Sequence, residues 1–163
     1  MTAQVLTTQA LARTADLETW VRFLRAHAAV VRQLNAELVA EHGLTINDYE
    51  VLLRLARAPD RILRRVDLAE LVLLTPSGIT RLLDGLERAG FVRKESCASD
   101  ARVVYAKLTD AGYAKLQDAS ETHLSGVRST FTERFSVDEL GTLGELLGRL
   151  PGGGDGSTDD CAP

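Results

Sequence analysis

Apolar residues recur at helical spacing from Leu17 onward. Leu17, Trp20, Val21, Leu24, Ala28, Val31, Leu34 and Leu38 share one stripe. This pattern predicts a helix capped by Asp16 and stopped by Gly43. It would exceed ~25 residues, longer than the core of a small domain usually needs. Its length implies that a second subunit covers part of the apolar face. Before it, residues 1–14 are weakly patterned, and they are expected to fray or to exchange as an arm with a partner. Thr45 then reads as the cap of a second helix, with Asp48 three positions later in a capping-box arrangement. Ile46, Tyr49, Leu52, Leu53 and Leu55 give that helix its buried face, and Ala58-Pro59-Asp60 ends it. A short edge strand is expected at Ile62-Leu63, and a third helix over 66–73.

The stretch LTPSGITRLLDGLERAGFVRKESCASDARVVYAKL, residues 74–108, changes period in its middle. Thr75 is a good N-cap, and Pro76 occupies the first helical position, where its missing N–H is harmless. Ile79, Leu82, Leu83 and Leu86 share one face of a helix that runs to Ala89, with Gly90 as the stop. The opposite side carries Ser77, Thr80, Arg81 and Asp84, which suits a helix pressed against something. Two short strands follow, one around Phe91-Val92 and one over Val103, Val104, Tyr105 and Leu108, joined by a polar loop. That loop holds no glycine, so a connection longer than a tight two-residue turn is expected. Helix, glycine stop and basic hairpin outline a winged helix-turn-helix. Its helix would enter a major groove, and its hairpin would lie along a minor groove or the phosphates.

After the hairpin, Thr109 caps another helix carrying Leu116, Ala119, Leu124, Val127 and Phe131. Ser136 caps a last one, VDELGTLGELLGRL, ended by Pro151. The tail GGGDGSTDDCAP has too little apolar surface to fold. The fold class is therefore mainly α with a small β-wing. The expected assembly is an intertwined homodimer, joined through the N- and C-terminal helices. The chain divides into a dimerisation region at 1–43, a winged helix-turn-helix at 44–108, dimerisation helices at 109–150 and a disordered tail at 151–163.

Composition narrows the classes. The chain has 163 residues, 45% of them hydrophobic and 26% charged, which suits one soluble domain with a real core. No run approaches the ~20 apolar residues of a membrane span, and the N-terminus lacks a basic start followed by an apolar block. A cytoplasmic protein without a membrane partner is expected. The net charge of −4 argues against a chain that is basic all over, but DNA binding needs only a local patch. Residues 60–107 hold nine basic and seven acidic side chains, while residues 108–163 hold four and ten. The modest segregation fits a DNA-facing middle.

The order of these elements resembles the MarR family of bacterial transcription regulators. The residues that carry the resemblance are Pro76-Ser77, Thr80-Arg81-Leu82-Leu83, Leu86-Glu87, Gly90-Phe91-Val92-Arg93, Asp100-Ala101-Arg102 and Leu108-Thr109-Asp110-Ala111-Gly112. The match spans roughly 44–112. Ala101 departs from the basic residue that the family often places between the wing's Asp and Arg. The resemblance implies a homodimeric winged-helix protein, usually a repressor, that a small and often aromatic anion releases from a pseudo-palindromic operator in double-stranded DNA.

The candidate DNA contacts are Thr75, Ser77, Gly78, Thr80 and Arg81 at the start of the recognition helix. Serine and threonine can bond phosphates or base edges, Gly78 lets the backbone approach, and Arg81 can read a guanine or clamp a phosphate. Arg102, with Ser99 and Asp100 beside it, is the candidate wing tip for a narrow minor groove. Asp100 would hold the arginine or the loop, or would make only a loose surface pair of under ~1 kcal/mol. Arg64 and Lys94 are candidate phosphate contacts.

Trp20, Phe23 and His27 share a stripe whose first reading is core or dimer packing. The functional alternative is an effector pocket in which Arg22 or Arg25 binds a carboxylate. The family's urate-responsive branch resembles this chain around the wing, which implies a ligand place at Asp48, Arg81 and Arg93. Tyr49 completes the candidate ligand set.

Cys97 beside Arg93 and Lys94 could sense oxidant, but no resolving partner is evident, so an incidental loop cysteine is the plainer reading. His27, His42 and His123 are scattered, and no HxxxH or CxxC spacing supports a metal or another cofactor. No nucleophile–base pair or Gly-rich phosphate loop supports an enzyme. The function expected is a ligand-responsive DNA-binding regulator without chemistry of its own. The alternatives are redox control through Cys97, or a winged-helix protein-interaction module without DNA affinity.

Overall fold

Capping signals set the frame of the molecule. The computed structural model describes residues 14–96 and 103–151. Its elements are α1 (Thr14–His42), α2 (Ile46–Arg57), a 3-10 turn (Pro59–Arg61), β1 (Ile62–Arg64), α3 (Arg65–Leu71), α4 (Pro76–Arg88), β2 (Val92–Ser96), β3 (Val104–Leu108), α5 (Asp110–Thr130), a second 3-10 turn (Thr132–Arg134) and α6 (Val137–Leu147). The fold is mainly helical with one small antiparallel sheet, as the pattern predicts. At α2 the Thr45 hydroxyl accepts from the Asp48 N–H at 3.2 Å, and the Asp48 carboxylate accepts from the Thr45 N–H at 2.8 Å. Ser136 and Glu139 form the same reciprocal box at α6. In each case two donors of the first turn are satisfied by local side chains.

Three helix boundaries differ from the expected ones by two residues or more. Asp16 lies inside α1, which already runs from Thr14, so it does not cap that helix. The third helix closes at Leu71, because Leu73 adopts φ +53° and breaks the ladder. The last helix closes at Leu147, capped by Gly148, before Pro151 is reached.

The sheet runs β1-β3-β2, with β1 on the edge. Val92 pairs with Leu108, Lys94 with Ala106 and Ser96 with Val104. The expected loop between these strands lies at 97–102, outside the described residues. The strand at 62–64 pairs with β3, Ile62 opposite Lys107.

The core lies where α2, α3, α4 and the sheet meet the start of α5. Leu38, Leu52, Leu55, Leu68, Leu83 and Ala119 are fully buried there. Each leucine so buried contributes roughly 1.5–3 kcal/mol of transfer free energy. The expected buried face of α2 holds at Tyr49, Leu52 and Leu55, and Val51 joins it. Further along, α1 crosses α5 closely: a Cβ on Gly126 would come within 2.8 Å of the Leu34 side chain. His42 ties the same pair of helices, with Nδ1 at 3.1 Å from Asp118 and Nε2 at 2.9 Å from the Thr122 hydroxyl.

The N-terminal half of α1 is different. Leu17, Trp20, Val21, Phe23 and Leu24 remain exposed, as do Leu124, Val137, Leu146 and Leu150 near the other end of the chain. No helix among the described residues is long and apolar enough to cross a membrane.

Candidate nucleic-acid interface

The interface is built around α4. Its first turn is closed by Thr75, whose hydroxyl accepts the Gly78 N–H at 3.1 Å, and Pro76 follows at the first helical position. Ile79, Leu83 and Leu86 anchor the inner face. Ser77 and Arg81 point outward and are exposed, while Thr80 and Asp84 are half-buried beside them. At the far end the Gly90 N–H reaches the Glu87 carbonyl and the Phe91 N–H reaches the Leu86 carbonyl, both at 2.9 Å. Gly90 takes φ +77°, which completes a Schellman cap. The helix-turn-helix turn uses the same motif. There the Leu74 N–H bonds the Ala69 carbonyl at 2.9 Å, the Leu73 N–H bonds the Glu70 carbonyl at 3.3 Å, and Leu73 stands where glycine is easiest.

Arg81 has no hydrogen-bond or ion-pair partner among the described residues. Among those residues nothing occupies its guanidinium. The other candidates have internal duties. Thr80 donates its hydroxyl to the Pro76 carbonyl at 2.8 Å. The Ser77 hydroxyl lies 3.2 Å from that of Thr75. Gly78 serves the cap as well as any approach from outside, since a Cβ there would meet the Thr75 hydroxyl at 3.1 Å. Arg64 forms a two-pronged pair with Asp67, both bonds at 2.8 Å, and this partner raises its pKa above the ordinary value. Lys94, the other candidate phosphate contact, is held by two carboxylates. Its Nζ lies 2.6 Å from Asp84 and 2.8 Å from Glu87, and its backbone N–H donates to Glu87 at 3.0 Å. Hydrogen bonding to Lys94 holds both carboxyls below their usual range, and the two carboxylates raise the lysine. Ser99, Asp100, Arg102 and Cys97 lie outside the described residues, as does the tail at 152–163.

Sequence reasoning missed Arg61. Its guanidinium stacks 4.0 Å over the Tyr113 ring and lies 3.4 Å from Asp110, tying the edge strand to α5. No local pattern announces that pair, because the partners are about fifty residues apart in the chain.

The candidate ligand residues lie on three elements, α1, α2 and β2, with Arg81 on α4. Trp20, Phe23 and His27 do form a ladder along α1, with ring centroids 6.0 Å and 6.4 Å apart. Arg22 is paired with Glu18 on the same helix. Asp48 is used in the α2 cap. Tyr49 is a core residue whose hydroxyl lies 3.3 Å from Ser120 and whose ring lies 4.4 Å from His123. Arg93 pairs with Glu95 on its own strand. Among the described residues, no hydrogen bond, ion pair or ring contact joins the α1 ladder to Asp48, Tyr49 or Arg93. Nor does any group of three or more His, Cys, Asp or Glu side chains among them suit a metal ion.

Comparison with known proteins places this geometry. The model of the MarR family matches residues 42–103. YetL, an HTH-type transcriptional repressor of Bacillus subtilis, is 34% identical over 111 residues, which span 68% of this chain and 66% of that protein. PecS, an HTH-type transcriptional regulator of Dickeya dadantii, is 30% identical over 70% of this chain and 69% of its own. A MarR family transcriptional regulator from Streptomyces coelicolor, solved in complex with DNA, superposes with a TM-score of 0.77 at 32% identity, covering 82% of this chain and 84% of that one. AbsC, another MarR family regulator of that organism, gives a TM-score of 0.76 at 29% identity over 82% of this chain and 90% of its own.

Proposed function

Because this chain belongs to the MarR family of transcriptional regulators, we propose that it binds double-stranded DNA in a sequence-dependent way, as a homodimer, through α4 and the β2–β3 wing. The observation that carries this reading is Arg81: an exposed side chain without a partner among the described residues, on the outer face of a helix capped at both ends. Residues 44–108 form the DNA-binding unit in this reading, and 1–43 and 109–150 supply the dimer. The exposed apolar stripe from Leu17 to Leu24 supports that division, since exposed patches of this kind mark protein contacts. Two copies would present two α4 helices to successive major grooves, so the operator would be pseudo-palindromic with half-sites one helical turn apart.

The protein acts in the cytoplasm as a repressor in this account, as the designation of its relative YetL suggests. A small aromatic or anionic ligand releases it by favouring a dimer whose α4 helices are misplaced for adjacent grooves. The test is to let the full chain select a duplex from a random-sequence pool and to measure Arg81→Ala on that duplex by gel shift. Lost binding with the dimer retained supports the reading; equal binding removes α4 from the interface.

A further inference from the structure

Asp84 lies on the face of α4 that carries Ser77 and Arg81, at helical spacing from both. Glu87 follows one turn on. Two carboxylates there are at odds with a helix that meets phosphates, unless they do something else. Both reach the same cation: Lys94 Nζ is 2.6 Å from Asp84 Oδ1 and 2.8 Å from Glu87 Oε2. The second oxygen of Glu87 accepts the Lys94 backbone N–H at 3.0 Å. Glu87 thus holds both the side chain and the main chain of the strand that leads into the wing. Lys94 faces Ala106 across the sheet, in the middle of β2.

We infer that Asp84, Glu87 and Lys94 form a strut that sets the angle between the recognition helix and the wing, and that these two acids are positioning residues for DNA binding. This inference rests on the DNA reading above. A cation held by two carboxylates is no longer a free phosphate ligand. What the group supplies is geometry, since the helix and the wing must meet adjacent features of one duplex at the same time. The pKa directions agree with it, because each partner stabilises the charged form of the other.

The strut reverses the sign of a simple electrostatic expectation. Removing acidic charge near a polyanion should tighten binding. If the acids position the wing, removing them weakens it instead. The experiment uses the full chain and the duplex that the unmodified chain selects from a random pool. The variants are Asp84→Ala with Glu87→Ala, and Lys94→Met. Alanine favours the helix at both acid positions, and thermal melts check that both variants fold.

The strut predicts that the acid double variant binds roughly tenfold more weakly, the factor produced by about 1.4 kcal/mol. It predicts a similar loss for Lys94→Met with the slope of log K against log salt unchanged. Once the Lys94 ammonium is gone, removing Asp84 costs little more, because Asp84 reaches β2 only through that side chain. Equal or tighter binding by the acid double variant overturns the inference. So does a slope lowered by about 1 in Lys94→Met, the mark of a lost phosphate contact. If the unmodified chain selects no duplex, the DNA reading itself falls and takes the strut with it.

Discussion

The α-carbon of Gly112 is packed against the carbonyl oxygen of Phe91, so closely that any Cβ placed there would overlap it. The same carbonyl accepts the Thr109 N–H at 3.1 Å, and the Thr109 hydroxyl bonds the neighbouring Gly90 carbonyl at 2.7 Å. The end of the recognition helix is thereby fixed to the start of α5, which leads away toward α1. These contacts join the recognition helix to α5 through backbone atoms.

Gly112→Ala is therefore expected to destabilise the fold by about 3 kcal/mol, because the overlap is with backbone that cannot rotate aside. Gly144→Ala is the control. Nothing lies within 4 Å of a Cβ at that helical position, and the change should stabilise by about 0.5–1 kcal/mol. Urea midpoints measure both, and equal effects would remove the proposed junction.

Leu73 gives a prediction of opposite sign. It holds φ +53° while its side chain is 92% exposed. The left-handed conformation costs a leucine about 1–2 kcal/mol, and almost no burial offsets that. Glycine relieves the strain and returns part of the gain as unfolded-chain entropy. Leu73→Gly should raise the stability by about 0.5 kcal/mol, and a lower melting temperature would contradict this account of the turn.

His123 predicts a pH dependence. Its Nδ1 is buried with no partner among the described residues, and its ring lies against Tyr49. Desolvation pushes its pKa below the ordinary 6.5, with Glu50 opposing the shift. A base whose folded value is depressed favours folding in its neutral form. The contribution is present above pH 6.5 and is lost as pH falls below that point toward the folded value. His123→Phe keeps a ring on Tyr49 and removes the titration, so its stability should change less between pH 7.5 and 5.5 than that of the parent. Parallel urea midpoints for the two proteins over that range would contradict the assignment.

The apolar stripe of α1 predicts the oligomeric state. Leu17 and Leu24, two turns apart, are 58% and 43% exposed in one subunit. The parent is expected to sediment as a dimer, and Leu17→Asp with Leu24→Asp should yield folded single subunits. An unchanged mass would place the interface elsewhere.

These elements differ in how far the chain announces them. Thr45, Thr75, Thr109 and Ser136 are legible as caps, because capping is a matter of three or four neighbouring residues. Gly43 and Gly90 are legible as stops for the same reason, at φ +66° and +77°. Leu73 is not legible, since leucine carries no signal for a left-handed turn. The partners of Lys94 are hidden because they lie on a helix seven and ten positions earlier, and only the fold brings strand and helix together. Tyr49 is legible by pattern as part of a buried face, but its partners Ser120 and His123 are not, because they come from a helix that begins some sixty residues later. Periodicity shows that Trp20 and Phe23 share a face, but not whether that face is covered by the same chain or by a second copy.

The central claim, a dimer that grips duplex DNA through two α4 helices, is tested most directly by the salt dependence of binding. The full chain is titrated against its selected duplex from ~50 to ~200 mM salt, with the stoichiometry read at saturation. The account predicts two chains per duplex and an affinity that falls steeply and linearly on the log–log plot as counterions are released. An affinity indifferent to salt, or a single chain per duplex, contradicts it.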